Sequence, residues 1–380
     1  MKWETYKLKQ LCSEIVDCVN KTAPTSDVPT PYKMLRTSDI RGGKINLENL
    51  NCVTKEVYEK WTRRGKLQKG DVIFTREAPL GEVGLVREEK NYFLGQRLVL
   101  FRSNDKICDG RFLMYSLLWH DNKQAIISKG VGSTVAHLRV PECENIEIKV
   151  PDLDAQHRIA DILSAYDDLI ENNQKQIKLL EEAAQRLYKE WFVDLRFPGH
   201  ENTKIVDGVP EGWSRGLLKE LISVNYGKDH KKAPDDGNIP VYGSGGLMRK
   251  CNKSLFSGEA VLIPRKGSLN NIMYVDETFW TVDTMFYATM KQPHTAVFVY
   301  FFVKAFDMYS MNIGAAVPSM TTKILDAMDV VIPDKETLEK FDKLTKTYFN
   351  KIKTLQGQNE RLKIARDLLL AKLMNGKVEV

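Results

Sequence analysis

The chain lacks any CxxC pair. Its six cysteines stand singly at positions 12, 18, 52, 108, 143 and 251, without ordered spacing. That excludes a zinc ribbon and a disulfide-stapled fold, and predicts reduced thiols that mostly fill cores. Long hydrophobic runs are also missing. The longest, such as Thr295 to Phe302, fall far short of the roughly 18–20 residues that cross a bilayer, and the charged N-terminus MKWETYKLKQ has no apolar signal core. The expectation is a soluble, cytoplasmic, non-exported chain. Catalytic signatures are equally scarce. There is no GxxxxGK[ST] phosphate loop, no HxxxH pair among the six histidines, no Asn/Asp-Pro-Pro-aromatic tetrad for amino methylation and no serine nucleophile elbow. The glycine-rich stretches Gly130-Val-Gly132 and Tyr242-Gly-Ser-Gly-Gly246 sit in neither a Rossmann nor a phosphate-loop frame and read as ordinary loops. Glu147-Ile-Lys149 resembles the tail of a nuclease motif, but Pro151-Asp152 follows it instead of preceding it. No metal or cofactor site is expected on this chain.

What is present is a long, ordinary globular composition: 380 residues, 43% hydrophobic and 28% charged. That is more chain than one core usually holds, so two or three domains are expected. The net charge of +6 permits an anionic partner without demanding one.

The sequence repeats itself. Trp3, Leu8, Lys9, Leu11 and Ser13 recur at an offset of 210 as Trp213, Leu218, Lys219, Leu221 and Ser223. At an offset of 182, Gly132, Val135, Val140, Pro151 and Asp152 match Gly314, Val317, Thr322, Pro333 and Asp334, and the match continues from Tyr166/Tyr348 to Leu187/Leu369. Two large copies are too few for a solenoid. They predict two similar domains, each closed by a strand, a Pro-Asp and a long helix. Short β-branched and aromatic runs such as Asp71-Val-Ile-Phe-Thr, Leu98-Val-Leu-Phe, Ala260-Val-Leu-Ile, Met285-Phe-Tyr-Ala and Asp329-Val-Val-Ile predict mainly antiparallel sheets. The fold class is therefore α/β (α+β). Two mixed α/β domains are expected at 1–150 and, with the Gly- and Pro-rich linker that begins at Phe197, at 197–332. Long helices are expected at 151–196 and 333–380, the latter with a C-terminal tail.

Both helices carry heptads. Ile159, Leu163, Tyr166, Ile170, Asn173, Ile177, Leu180, Ala184, Leu187 and Trp191 alternate steps of four and three. Phe341, Tyr348, Ile352, Leu355, Asn359, Leu362, Leu369 and Leu373 hold the same register, with Thr345 and Arg366 as weak positions and Gly357 as an interruption. An antiparallel two-helix coiled coil with Asn173 opposite Asn359 makes facing residue numbers sum to 532. Residues 156–192 carry five basic and seven acidic side chains, and 335–375 carry ten and five, so the helices should attract.

Without a catalytic constellation, the informative set is polar and basic side chains in the loops of both halves. These are Arg36, Thr37, Ser38, Arg76, Gln96, Arg97, Ser133, Thr134 and His137 in the first, and Lys228, Lys231, Lys232, Ser244, Arg265, Lys266, Asn270 and Ser319 in the second. Such residues can grip phosphates and read base edges. Taken singly, each is also an ordinary solvated loop residue.

The motifs Leu35-Arg-Thr-Ser-Asp-Ile, Phe74-Thr-Arg-Glu-Ala-Pro-Leu-Gly-Glu-Val-Gly, Leu94-Gly-Gln-Arg, Gly132-Ser-Thr-Val, Pro151-Asp-Leu-Asp-Ala-Gln-His-Arg-Ile-Ala, Phe197-Pro-Gly-His-Glu-Asn, Val209-Pro-Glu-Gly-Trp and Val241-Tyr-Gly-Ser-Gly-Gly together resemble the specificity (S) subunit of type I restriction-modification systems. The resemblance spans the chain in order. It implies two target-recognition domains reading the halves of a split double-stranded DNA site, and two helices packed antiparallel between them. It also implies no activity of the chain's own: two modification subunits carry S-adenosylmethionine and methylate adenine, and restriction motor-nuclease subunits can join them. Gln156 and Arg158, at the start of the first helix, are the expected partner-docking residues. The second helix opens with Thr337-Leu-Glu-Lys-Phe-Asp and lacks the glutamine, which implies unequal docking sites. The alternatives are a stand-alone DNA methyltransferase or nuclease with unrecognised motifs, and a coiled-coil adaptor that does not bind DNA.

Overall fold

A computed structural model describes residues 2–132, 135–311 and 319–380. The chain divides into two compact units, residues 1–172 with 358–380, and residues 173–357. Each holds one globular part together with a portion of each long helix.

In the first unit, four antiparallel strands lie in the order Cys12–Asp17, Leu98–Ser103, Val72–Thr75, Val83–Leu85. Val72 to Thr75 is buried throughout, as a run without polar alternation requires when both sheet faces are covered. One face packs Phe74, Val99 and Phe101 against Phe112, Leu113 and Tyr115 of the helix Gly110–Leu118. That helix starts at Asp109, whose carboxylate accepts from the amides of Arg111 and Phe112. The other face packs Ile73, Leu98 and Leu100 against Leu35, Ile40 and Leu94. A smaller sheet pairs Lys33–Leu35 with Asn51–Cys52 and, in parallel, with Tyr92–Leu94.

The second unit has a six-stranded sheet in the order Ile222–Tyr226, Met285–Met290, Phe256–Pro264, Met273–Thr281, Ile239–Gly243, Gly246–Cys251. Only Ile239–Gly243 and Met273–Thr281 run parallel. The apolar run noted at Thr295 folds as the helix Ala296–Lys304, hydrophobic all round and accordingly buried. Its Phe298 and Phe301 meet Tyr188 at ring-centroid distances of 5.9 and 5.5 Å.

The repeat has a structural meaning. Glu4–Lys7 pairs antiparallel with Glu147–Val150, and Ser214–Leu217 with Asp329–Ile332. Glu4 faces Val150 and Ser214 faces Ile332, so the pairing carries both sequence offsets, 210 at its start and 182 at its end. In each copy the first strand closes on the last, just before the Pro-Asp that opens a long helix.

Those helices span Leu153–Tyr188 and Lys335–Met374. Asp152 caps the first by accepting from the Ala155 amide at 2.9 Å. Asp334 caps the second by accepting from the Thr337 amide at 2.9 Å. Of the heptad positions, Ile159, Leu163, Ile170, Ala184, Trp191, Phe341, Ile352, Leu355 and Leu373 are buried, while Tyr166, Ile177, Leu180, Leu187, Tyr348, Leu362 and Leu369 are half-buried, and Leu370 beside the seam is buried as well. Ile159, Leu163, Leu370 and Leu373 join the first core, while Ala184, Trp191 and Phe341 join the second, with Trp191 5.8 Å from Phe341 in the 532 register. Asn173 and Asn359 are also buried. Gly357 does not break its helix. Arg366, a weak seam position, is held by Asp167, whose other oxygen accepts the Tyr115 hydroxyl at 2.6 Å. Among the described residues no helix is long and apolar enough to cross a membrane.

Candidate DNA interface

In the first unit most of the expected cations are held by acids. Arg36 bonds the buried carboxylate of Asp39 through Nε at 3.0 Å and Nη2 at 2.8 Å, and that carboxylate also accepts from the Arg36 amide. This hydrogen bonding raises the Arg36 pKa. Thr37 is half-buried, and Ser38 is exposed with its hydroxyl directed at Asp39. Arg76 is a structural tie: only 16% of its side chain is exposed, and its guanidinium bridges Asp17 Oδ1 at 3.0 Å and the Leu138 carbonyl at 3.2 Å. Gln96 accepts from the Thr22 hydroxyl at 2.8 Å. Arg97, exposed at a positive φ of 69°, pairs with Glu77 at 3.2 Å. His137 is half-buried, and its backbone bridges to Val131 and Glu77. Ser133 and Thr134 lie outside the described residues.

The second unit presents its cations more freely. Lys228, Lys231 and Lys232 are exposed. The last two sit on a short 3₁₀ turn that begins at Asp229, whose carboxylate accepts from the Lys231 amide at 3.0 Å. Arg249 fixes this turn to the hairpin Ile239–Cys251 by donating to the carbonyls of Ala233, at 2.7 Å, and His230, and by pairing with Asp235. Arg265 stacks 5.6 Å over the exposed ring of Tyr226 and bonds the Asp283 carbonyl at 3.1 Å. Lys266 is exposed and bridges by its backbone to Ser319. Ser244 is half-buried, its carbonyl accepting from Asn271 at 2.8 Å. Asn270 is exposed and bonded within its domain, donating to Asp307 at 3.0 Å and accepting from the Met308 amide at 2.8 Å. Tyr226, Leu247 and Met248, which the sequence did not single out, are all more than half exposed. Their only signal was apolar character within a basic, glycine-rich stretch of sequence.

The helix starts divide likewise. Gln156 is 1% exposed and its amide is fully engaged. Oε1 accepts from the Asp109 amide at 3.1 Å, and Nε2 donates to the carbonyls of Ile107 at 3.1 Å and Pro151 at 2.9 Å. It holds the helix start to its own domain and does not stand exposed on the surface. Arg158 is exposed. The 182 offset places Leu338 where Gln156 stands, and Leu338 is 2% exposed in the second core. The lost glutamine is thus an exchange of a polar tie for apolar packing. Among the described residues no group of three or more His, Cys, Asp or Glu side chains could hold a metal ion.

A family profile described as the type I restriction modification DNA specificity domain matches residues 1–182 and 210–363. The chain belongs to this family. The matched segments each run from a globular part into the long helix that follows it. Among specificity subunits, the chain is 25% identical over 353 residues to that of the type I restriction enzyme MjaIX of Methanocaldococcus jannaschii, covering 82% of this chain and 78% of that one. It is 22% identical over 437 residues to that of the type I restriction enzyme HindI of Haemophilus influenzae, covering 89% and 93%. The crystal structure of a type I restriction-modification S subunit from M. genitalium shares the fold, with a TM-score of 0.63 and 19% identity over 98% of this chain and 96% of that one.

Proposed function

We propose that this member of the specificity family is the non-catalytic DNA-recognition subunit of a type I restriction-modification enzyme. Each globular domain reads one half of a bipartite, asymmetric double-stranded site. The long helices scaffold two modification subunits, which bind S-adenosylmethionine and methylate adenine, and restriction motor-nuclease subunits can join the same assembly. The observation that carries this reading is the duplication: each copy has its own sheet, its own core and its own closing strand pair, so each can recognise a sequence independently.

The test exchanges residues 1–150 for the corresponding segment of another family member, with methylated adenines mapped in cells that also express the modification subunits. One half of the methylated sequence should change while the other stays. A change in both halves would overturn independent reading. Methyl transfer from labelled S-adenosylmethionine by the isolated, contaminant-free chain, or magnesium-dependent cleavage of DNA by it, would overturn the non-catalytic assignment.

A further inference from the structure

The hairpin Ile239–Gly243/Gly246–Cys251 exposes two consecutive large apolar side chains, Leu247 at 54% and Met248 at 55%. A regular strand would send neighbours to opposite faces. Here the ladder shifts: Val241 faces Arg249 and Tyr242 faces Leu247, so Met248 is an extra residue in a β-bulge. Bulges re-aim side chains and recur beside functional sites. Gly243 leaves space for this arrangement, because a Cβ on it would collide with the Met248 sulfur.

The base of the hairpin is firm. Val241 and Cys251 are fully buried, and Val241 and Tyr242 pair in parallel with Trp280 and Thr281. Its surroundings are cationic. Residues 228–253 hold six lysines and arginines against three aspartates. Of those aspartates, Asp229 caps the turn carrying Lys231 and Lys232, and Asp235 is paired with Arg249. Arg249 in turn bonds that lysine turn to the hairpin strand. A rigid, glycine-tipped hairpin thus presents an apolar pair framed by lysines. Apolar wedges framed by cations suit duplex DNA, where they part a base step while the cations hold the backbone.

Resting on the recognition function proposed above, we propose that Leu247 and Met248 form a wedge that partly unstacks one base step in the half-site read by the second domain. Sequence is then sensed there partly through deformability, since flexible pyrimidine–purine steps open at lower cost.

The test uses the chain assembled with its modification subunits and a duplex carrying the methylation site mapped in the host. 2-Aminopurine is placed in turn at each position of the half-site assigned to the second domain by domain exchange, excluding the methylated adenines, whose flipping would confound the signal. The wild-type complex should raise the fluorescence at one step. Leu247→Ala/Met248→Ala should abolish that rise and weaken site binding about tenfold, and Leu247→Met should retain it. No fluorescence rise at any step, with specific binding intact, overturns the wedge and leaves the recognition function standing. Failure of the wild-type complex to prefer the mapped site overturns the recognition function itself. If the double alanine variant keeps the signal but loses the modification subunits, the pair is a protein contact and the wedge is overturned.

Discussion

The indole Nε1 of Trp213 donates to Asp334 Oδ2 at 2.9 Å, across 121 positions of sequence. Both residues are repeat markers, the tryptophan opening the second copy and the aspartate capping its helix. The same carboxylate accepts from the amide and hydroxyl of Thr337. Burial opposes ionisation at Asp334, but these hydrogen bonds together outweigh it and hold the carboxyl below its ordinary range.

Asp334→Ala should therefore cost the second unit about 2–3 kcal/mol through removal of the cap and of the acceptor for Trp213, and Trp213→Phe about 1.5 kcal/mol through removal of one hydrogen bond to a charged acceptor. The double variant should be less destabilised than the sum, because both changes remove the same hydrogen bond. A folded-state carboxyl held low contributes stability above the unfolded value, near 4, and loses it as pH falls through the folded value. Urea unfolding between about pH 6 and pH 3 should show a shallower acid loss in Asp334→Ala than in wild type.

Asp167 is buried between the Arg366 guanidinium and the Tyr115 hydroxyl. Asp167→Ala strands the Tyr115 hydroxyl and leaves Arg366 only its pair with Asp367, and should destabilise the first unit by roughly 3 kcal/mol. Replacing the set together, as Asp167→Leu, Arg366→Met and Tyr115→Phe, should recover most of that loss, since no donor is then left buried without an acceptor. A triple variant as unstable as the single one would show that the network also serves packing geometry. Thermal unfolding of the three proteins separates these outcomes.

Gln156 and Arg158 differ by two positions and should differ in kind. Gln156→Ala leaves the Asp109 amide and the Ile107 carbonyl without the partners they have here, at a cost of about 1–3 kcal/mol. Arg158→Ala should leave stability unchanged and weaken co-purification with the modification subunits. A Gln156→Ala protein of full stability that fails to assemble would return the glutamine to the docking surface.

The sequence disclosed the architecture because a duplication and a heptad pattern are long-range regularities. The strands at Val72, Leu98, Ala260, Met285 and Asp329 sat in apolar runs that nothing competed for, and the Trp191–Phe341 pairing followed from register alone. The site was far less legible. Arg36 and Lys231 are both cations beside polar residues in sequence, yet one is clamped by a buried aspartate three positions away and the other is exposed to solvent. Pairing over long separations, as between Arg76 and Asp17 or Asn270 and Asp307, has no local signature. Nor has the exposure of Leu247, which depends on a bulge.

That difference in pairing carries the last prediction. Cations that neutralise phosphates release counterions, and the slope of log affinity against log salt falls by about 0.9 for each B-DNA phosphate that is no longer neutralised. Lys228, Lys231 and Lys232 are exposed on one short segment of the second domain, so converting all three to alanine in the assembled complex should flatten the slope by up to about 3. Because phosphates carry no base identity, affinity for specific and unrelated duplexes should fall together and the methylated sequence should stay the same. Arg76→Ala should do the opposite. Its guanidinium is committed to Asp17 and the Leu138 carbonyl, so the slope should persist in whatever fraction remains folded while the unfolding midpoint drops. Fluorescence anisotropy titrations over a series of salt concentrations, paired with thermal unfolding, distinguish the two. A changed methylation motif in the triple lysine variant would mean that this turn reads bases.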